Sequence, residues 1–266
     1  MKALAKRVFN KQLRQFNKNV TEQFARNLKL SKGGDYHPDD VFIAGFPKCG
    51  NTWMQTIIAG MVYGMDASVA PIRMVLDLVP EVHKSYYRRY TTPTYFKTHL
   101  LPQPDYRRVI NIVRDGRDAM LSYYHYLYGI EQPSDWETLL AQGTNYYGLW
   151  HEHVAQWLDN PYDAQIILIR YEDLLAQPLP TLAKLRDFLH LEIDETRLQT
   201  VIKQTTFSNL QANEAEQGMD DDKWSDEHAF FRSGKMGGYR TLPPDIIERL
   251  NQQMEPMLLR LGYSLD

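Results

Sequence analysis

With 266 residues, 43% of them apolar and 24% charged, the chain is long enough to bury a sizeable core and has the composition of an ordinary globular protein. Its formal net charge of −3 excludes a global attraction to nucleic acid or to an anionic membrane, so an anionic ligand must be held by a local cluster of cations and backbone N–H groups. The single cysteine, Cys49, excludes an internal disulfide and fits a reducing compartment.

No apolar run approaches the roughly 18–20 residues of a membrane span. The first residues lack the unbroken apolar stretch of a secretory signal. The expectation is a cytoplasmic protein with no stable membrane insertion. Lys2, Lys6, Arg7, Lys11, Arg14 and Lys18 alternate with Leu4, Val8, Leu13, Phe16 and Val20 near helical spacing. This predicts a basic amphipathic helix within a segment 1–39 that packs on the main domain, 40–266.

In chain order, "VFIAGF" (41–46) reads as a buried strand, and "TWMQTIIAGMVY" (52–63), with apolar pairs at 53/54, 57/58 and 61/62, as a helix. "TYFKTHL" (94–100) and "RRVINIVR" (107–114) are two further strands. "DGRDAMLSYYHYLYG" opens a helix capped by Asp115, with Asp118 in its first turn. "AQIILIRYEDL" (164–174) reads as another buried strand and runs into the helix "PTLAKLRDFLHL". Residues 212–238 are polar and glycine-rich, with an acidic run at Asp220–Asp222, and predict a long loop; 208–238 as a whole is expected to form a lid or loop over the site. A closing helix is expected over 244–262, between Pro243–Pro244 and Gly262. Apolar strands alternating with helices indicate an α/β fold, a single domain with a central, mostly parallel sheet flanked by helices. Ligands in such sheets bind at the carboxyl ends of the strands. Gly45–Cys49, His99, Arg114 and Tyr171 all fall there.

The segment Gly45–Thr52 spells G-x-x-x-x-G-N-T, one letter from the nucleotide-triphosphate loop G-x-x-x-x-G-K-[ST]. Asn51 stands where that loop has its lysine, and Lys48 supplies a cation earlier. The third strand ends in Arg114 before reaching Asp115, so it offers no carboxylate for magnesium. Metal dependence is not expected. His151 and His153 do not change this, because side chains at i and i+2 of a helix diverge. A P-loop kinase for a small molecule is the first alternative this loop allows. The second is a non-catalytic module that binds adenosine bisphosphate, against which the pairing of Lys97 with His99 argues.

Four separated segments together resemble the cytosolic-type sulfotransferases, which move a sulfuryl group from 3′-phosphoadenosine 5′-phosphosulfate (PAPS) to a hydroxyl or amine and release 3′,5′-adenosine bisphosphate (PAP). "PKCGNTW" resembles the family's 5′-phosphosulfate loop, "KTHLLP" (97–102) its catalytic K-T-H-L-P, "VRDGRDAMLSYYHY" (113–126) its 3′-phosphate segment, and "FRSGKMGGYR" (231–240) its late R-K-G-x-x-G-D-W-K stretch. The resemblance implies that His99 is the base, that Lys48 stabilises the bridging oxygen, and that Lys97 supports the sulfuryl oxygens. It implies a PAPS site from Lys48, Cys49, Gly50, Asn51, Thr52 and Trp53, with Arg114 and Ser122 holding the 3′-phosphate beside Arg232, Ser233 and Gly234. Trp53 is expected to stack on adenine, with Phe207 or Phe231 on its other face, while Tyr171, Thr205 and Thr206 hydrogen-bond the nucleotide.

The sequence departs from the family in places. Asn51 replaces the usual threonine but keeps donors for the phosphate, Ser233 replaces a lysine for which Lys235 is the substitute, and "GGY" replaces G-D-W. Cys49 replaces serine at a helix N-terminus near Lys48, which predicts a depressed pKa and a reactive thiol. No segment resembles the family's K-T-V-E dimer stretch, so monomer and homodimer both stay open. The acceptor pocket is expected from residues 65–92, Tyr123–Tyr128, Tyr146–Tyr147 and 208–231, with Phe46, His99, Tyr123, His125 and Tyr146 as candidate contacts. Their aromatic character suits a small apolar or aromatic alcohol, with a carbohydrate or an amine as other acceptors.

Overall fold

The computed structural model describes residues 20–219, 229–232 and 234–265. The basic segment through Lys18, the acidic run Asp220–Asp222 and Ser233 lie outside the described residues. Six strands occur among them: β1 (Ser31–Lys32), β2 (Val41–Ala44), β3 (Tyr86–Tyr87), β4 (Tyr95–Thr98), β5 (Arg108–Val113) and β6 (Gln165–Arg170). β1 and β3 form a small antiparallel ribbon, and the others form one parallel sheet in the order β4-β2-β5-β6. The strands expected at 41–46, 94–100 and 107–114 are therefore central to the fold.

Between and after the strands run the helices α1 (Asn51–Tyr63), α2 (Ile72–Leu78), α3 (Gly116–Gly129), α4 (Trp136–Gln142), α5 (Trp150–Asp159), α6 (Tyr171–Ala176), α7 (Pro178–Leu189), α8 (Glu195–Gln204), α9 (Phe207–Gln217) and α10 (Pro244–Arg260). A further helical stretch at residues 20–27 precedes β1. Alternation along β2 sends Val41 and Ile43 to one face of the sheet and Phe42 and Ala44 to the other. The first pair packs with Ile57, Ile58 and Leu198, and the second with Tyr87, Phe96 and Trp157. A third cluster joins Val113, Trp150 and Leu250 beside the end of β5. Ile58 is fully buried, so its truncation to alanine costs about 2–5 kcal/mol.

Two expectations are corrected. The strand at 164–174 stops at Arg170, because Tyr171 begins α6; it is also an edge strand pairing with β5 alone, which leaves Gln165 and Leu168 exposed. The presumed loop from 208 begins as helix α9, capped by Thr206, whose hydroxyl accepts from Asn209 N. Its residues are polar because only one side of the helix, that of Leu210 and Asn213, is buried.

Strand order makes the site. The chain leaves β2 for β4 on one side and then crosses to β5 on the other, so the carboxyl end of β2 is a topological switch point, where open α/β sheets hold their ligands.

Candidate active site

A cavity of about 490 Å³ opens over these carboxyl ends. It is lined by Lys48 and Gly50–Trp53 after β2, Lys97 and His99 at β4, Arg114 after β5, and Tyr171 after β6. Lys48 and Gly50 both take left-handed backbone angles, φ 67° and 103°. A Cβ on Gly50 would stand 2.8 Å from the Tyr171 ring, so both backbone and space require glycine there. Gly50 caps α1 without a side-chain hydrogen bond, which leaves the helix N-terminus without a competing internal acceptor.

The Lys48 ammonium rests 4.0 Å from the Phe230 ring centre and 4.9 Å from that of Tyr126. Burial, followed by the neighbouring Lys97 and Arg114 cations, pulls it down to about 7. Cys49 points the other way. Its side chain is fully buried, and burial pushes the thiol up to about 12, so the expectation of a reactive thiolate is overturned. Desolvation outweighs the nearby arginine and the helix N-terminus.

His99 donates Nδ1–H to Gly45 O at 2.8 Å, since a carbonyl can only accept. This fixes the tautomer and leaves Nε2 as an acceptor. Burial, then the Lys97 ammonium, holds the imidazole well below its ordinary value and therefore neutral at pH 7. Lys97 is buried and paired with Glu81 at 2.7 Å, while its Nζ also lies 3.4 Å from Thr52 Oγ1. Residues 80–82 run beside β4, with Lys97 N donating to Pro80 O and Val82 N to Lys97 O, which is why the Glu81 carboxylate meets Lys97. Burial alone would raise the Glu81 carboxyl, but the Lys97 ammonium holds it below its usual range. The Asn51 amide turns inward to Gly45 O and Thr98 O, at 3.1 and 3.4 Å. Both of its side-chain N–H groups are thereby engaged by backbone carbonyls. His153 is buried and donates Nε2–H to His99 O at 2.8 Å.

Arg114 lies over the Tyr171 ring at 4.4 Å and donates to Lys48 O and Lys235 O, both at 3.2 Å. Its buried Nε has no partner among the described residues. Arg232 approaches it, and burial, then the Arg114 charge, lower the Arg232 guanidinium. The segment Phe230–Arg232 is held by α9. Glu214 accepts from Phe230 N at 2.5 Å and Phe231 N at 2.9 Å, and Gln211 donates to Phe231 O and Arg232 O at 2.7 and 3.0 Å. Asp118 fixes the far end, accepting from Gly237 N at 2.7 Å and Tyr239 N at 2.9 Å. A Cβ on Gly234, at φ 58°, would stand 2.5 Å from the Phe207 ring.

The cavity thus gathers Lys48, Gly50, Asn51, Thr52, Trp53, Lys97, His99, Arg114, Ser122, Tyr123, Tyr146, Tyr171, Phe207, Phe231, Arg232 and Gly234 from the sequence-derived set. Five others lie elsewhere. Phe46 is buried against the His153 ring, Cys49 is buried in the same cluster, and His125 is exposed beside Tyr124. The Thr205 hydroxyl is taken by Val201 O at 2.8 Å, and that of Thr206 caps α9. The Trp53 indole donates to Thr205 O at 2.9 Å and meets Phe207 at 79°, edge to face, so no parallel slot is preformed between these two rings. Glu81, Ile130, Gln132, Asn145 and Phe230 also line the cavity. Glu81 and Phe230 fall within the expected acceptor segments 65–92 and 208–231, whereas Ile130, Gln132 and Asn145 lie outside every expected segment. Among the described residues, no group of three or more His, Cys, Asp or Glu side chains converges as a metal site would, and no helix is long and apolar enough to cross a membrane.

The fold is an α/β parallel sheet with a cavity rich in basic side chains at its switch point, and comparison with known proteins gives its family. The sulfotransferase domain matches residues 38–262, and the chain belongs to the sulfotransferase family. It is 26% identical to dog sulfotransferase 1A1 over 86% of this chain and 78% of that protein, and 28% identical to rat sulfotransferase 1A1 over 73% and 74%. Mouse sulfotransferase SULT7A1, solved in complex with PAP, shares the fold with a TM-score of 0.66 at 21% identity, over 84% of this chain and 85% of that one. Retinol dehydratase, solved with androsterone and inactive cofactor PAP, shares it with a TM-score of 0.67 at 19% identity, over 84% and 81%.

Proposed function

We propose that the chain transfers a sulfuryl group from PAPS to the hydroxyl or amine of a small acceptor, with His99 as general base. The observation that carries this reading is the convergence of four basic side chains, Lys48, Lys97, Arg114 and Arg232, with one neutral imidazole on a single cavity. Crowded like charges are unfavourable until an anion arrives, and PAPS has phosphate groups at two separated positions to meet them. Arg114 fits such a group, because its buried Nε lacks a partner among the described residues and its fork can donate two parallel hydrogen bonds. The uncapped start of α1 at Gly50 supports the other end.

PAPS would supply the sulfuryl group and, as PAP, the leaving group. His99 Nε2 takes the acceptor proton as the acceptor oxygen or nitrogen bonds to sulfur, and such a base contributes ~10²–10⁴-fold. Lys48 meets the charge that develops on the bridging oxygen when the sulfur–oxygen bond breaks. Lys97, paired with Glu81 at 2.7 Å and 3.4 Å from Thr52 Oγ1, would meet the sulfuryl oxygens. The nucleotide half would comprise Lys48, Gly50, Thr52, Trp53, Arg114, Ser122, Tyr171, Phe207, Phe231, Arg232 and Gly234. The acceptor half is formed by Glu81, His99, Tyr123, Tyr126, Ile130, Gln132 and Asn145–Tyr147.

That acceptor half mixes rings with amides and a carboxylate, which favours an aromatic alcohol or amine bearing further polar groups over a purely apolar one. Reaction in the cytoplasm, by a monomer or a homodimer, completes the reading. Calorimetric titration in EDTA tests the donor: PAP should bind and ATP should not. Tighter, magnesium-dependent binding of ATP would instead support a kinase.

A further inference from the structure

His99 is held at three points, and two of them run through one side chain. Asn51 Nδ2 donates to Gly45 O, the carbonyl that accepts His99 Nδ1–H, and to Thr98 O, the carbonyl of the peptide bond that leads into His99. The third point is His153, which grips the His99 carbonyl. The orientation of the amide follows from its neighbours. With its oxygen in the nitrogen's place it would face two carbonyl acceptors, so the nitrogen must point there. That nitrogen also lies 3.3 Å from His99 Nδ1, which makes the two groups adjacent donors on one carbonyl.

The other end of the amide is informative. Asn51 Oδ1 is buried and without a partner among the described residues. A buried acceptor left unpaired costs stability, so packing alone does not explain asparagine at this place. What asparagine adds over a hydroxyl residue is two N–H donors on one atom, enough to tie the ends of β2 and β4 together beneath the imidazole.

We propose that Asn51 is a positioning residue for His99, fixing the carbonyl that receives Nδ1–H and the peptide bond that carries the ring. The inference rests on the reading of His99 as general base. It also assigns Asn51 away from direct phosphate contact, although the residue begins the helix after the phosphate loop. Removing the amide should let Gly45 O and the His99 backbone shift independently, and a misplacement of about 1 Å at a reacting group costs on the order of 10²-fold in rate.

The test uses Asn51→Ala and Asn51→Thr in the full chain, with three readouts: PAP affinity by calorimetry, kcat with PAPS and a phenolic acceptor, and the His99 tautomer by long-range ¹H–¹⁵N spectra assigned with His99→Gln. Asn51→Ala should lower kcat ~10–100-fold while PAP affinity stays within about threefold, and the Nδ1–H signal should give way to a tautomer mixture. Asn51→Thr, which keeps one donor and is also the second variant if alanine fails to fold, should recover part of the rate. An unchanged tautomer and kcat would overturn the proposal. So would a loss of PAP affinity that matches the loss of rate with the tautomer intact, since that marks a phosphate ligand. If His99→Ala retains transfer, the reading of the base fails instead, and the spectra still decide whether Asn51 fixes the ring.

Discussion

Proton uptake on binding should expose Lys48 as the group that meets the ligand. In the free protein, burial and two neighbouring cations hold its ammonium at about 7. A dianionic ligand group at the loop restores the charge, so the pKa rises back toward the ordinary lysine value in the complex. The sign follows directly: a group whose pKa is raised by binding takes up a proton between its free and bound values, and affinity falls as pH rises through that window. At pH 8 a lysine with a free pKa of about 7 is about nine-tenths neutral, so each PAP bound should draw in about 0.9 proton. The protonated fraction drops from about one half at pH 7 to about one hundredth at pH 9, which predicts roughly a 50-fold loss of PAP affinity over that range. The phosphates of PAP are largely ionised by pH 7 and oppose this only weakly. Calorimetry at pH 8 in buffers of different ionisation enthalpy reads the proton count, and Lys48→Met should abolish it. A pH-independent affinity, or an uptake that persists in Lys48→Met, would refute the assignment.

Glu214→Gln should weaken PAP binding ~10-fold with little change in kcat, because a carboxylate that accepts from two consecutive N–H groups is replaced by an amide with one acceptor, and a charge-assisted bond is worth ~1.5–3 kcal/mol. Equal affinity in the two proteins would show that the segment Phe230–Arg232 does not need this clamp. Cys49 should resist a thiol reagent in the native protein and react fully once denaturant unfolds it, since its sulfur is buried and its thiol is raised to about 12. Rapid native labelling accompanied by loss of PAP binding would restore the idea of a reactive loop cysteine.

The β2–loop–α1 unit was legible because each letter has a local physical cause. The run Val41–Ala44 is buried on both faces, Gly50 is required by a left-handed turn, and the apolar spacing of 52–63 repeats each helical turn. His99 and Arg114 were legible at the carboxyl ends of expected strands, and they directly follow β4 and β5. What escaped notice depends on long-range pairing. Glu81 reaches the cavity only because residues 80–82 run beside β4, and Glu214 and Gln211 matter only because α9 folds against Phe230–Arg232. Local reasoning also misjudged the Cys49 thiol and did not place the Asn51 amide. It saw a helix N-terminus and a phosphate loop, but could not see the core that encloses the sulfur or the two carbonyls that claim the amide.

The central claim concerns sulfuryl transfer with His99 as base, and labelled PAPS tests it most directly. The wild-type protein, given PAPS carrying ³⁵S and a panel of phenols and aryl amines, should yield a labelled acceptor and one PAP per transfer. His99→Ala should lose at least ~10²-fold in kcat while binding PAP as the wild type does. Transfer of label at an undiminished rate by His99→Ala, or ³⁵S left on PAPS with every acceptor and the wild-type protein, would contradict the account.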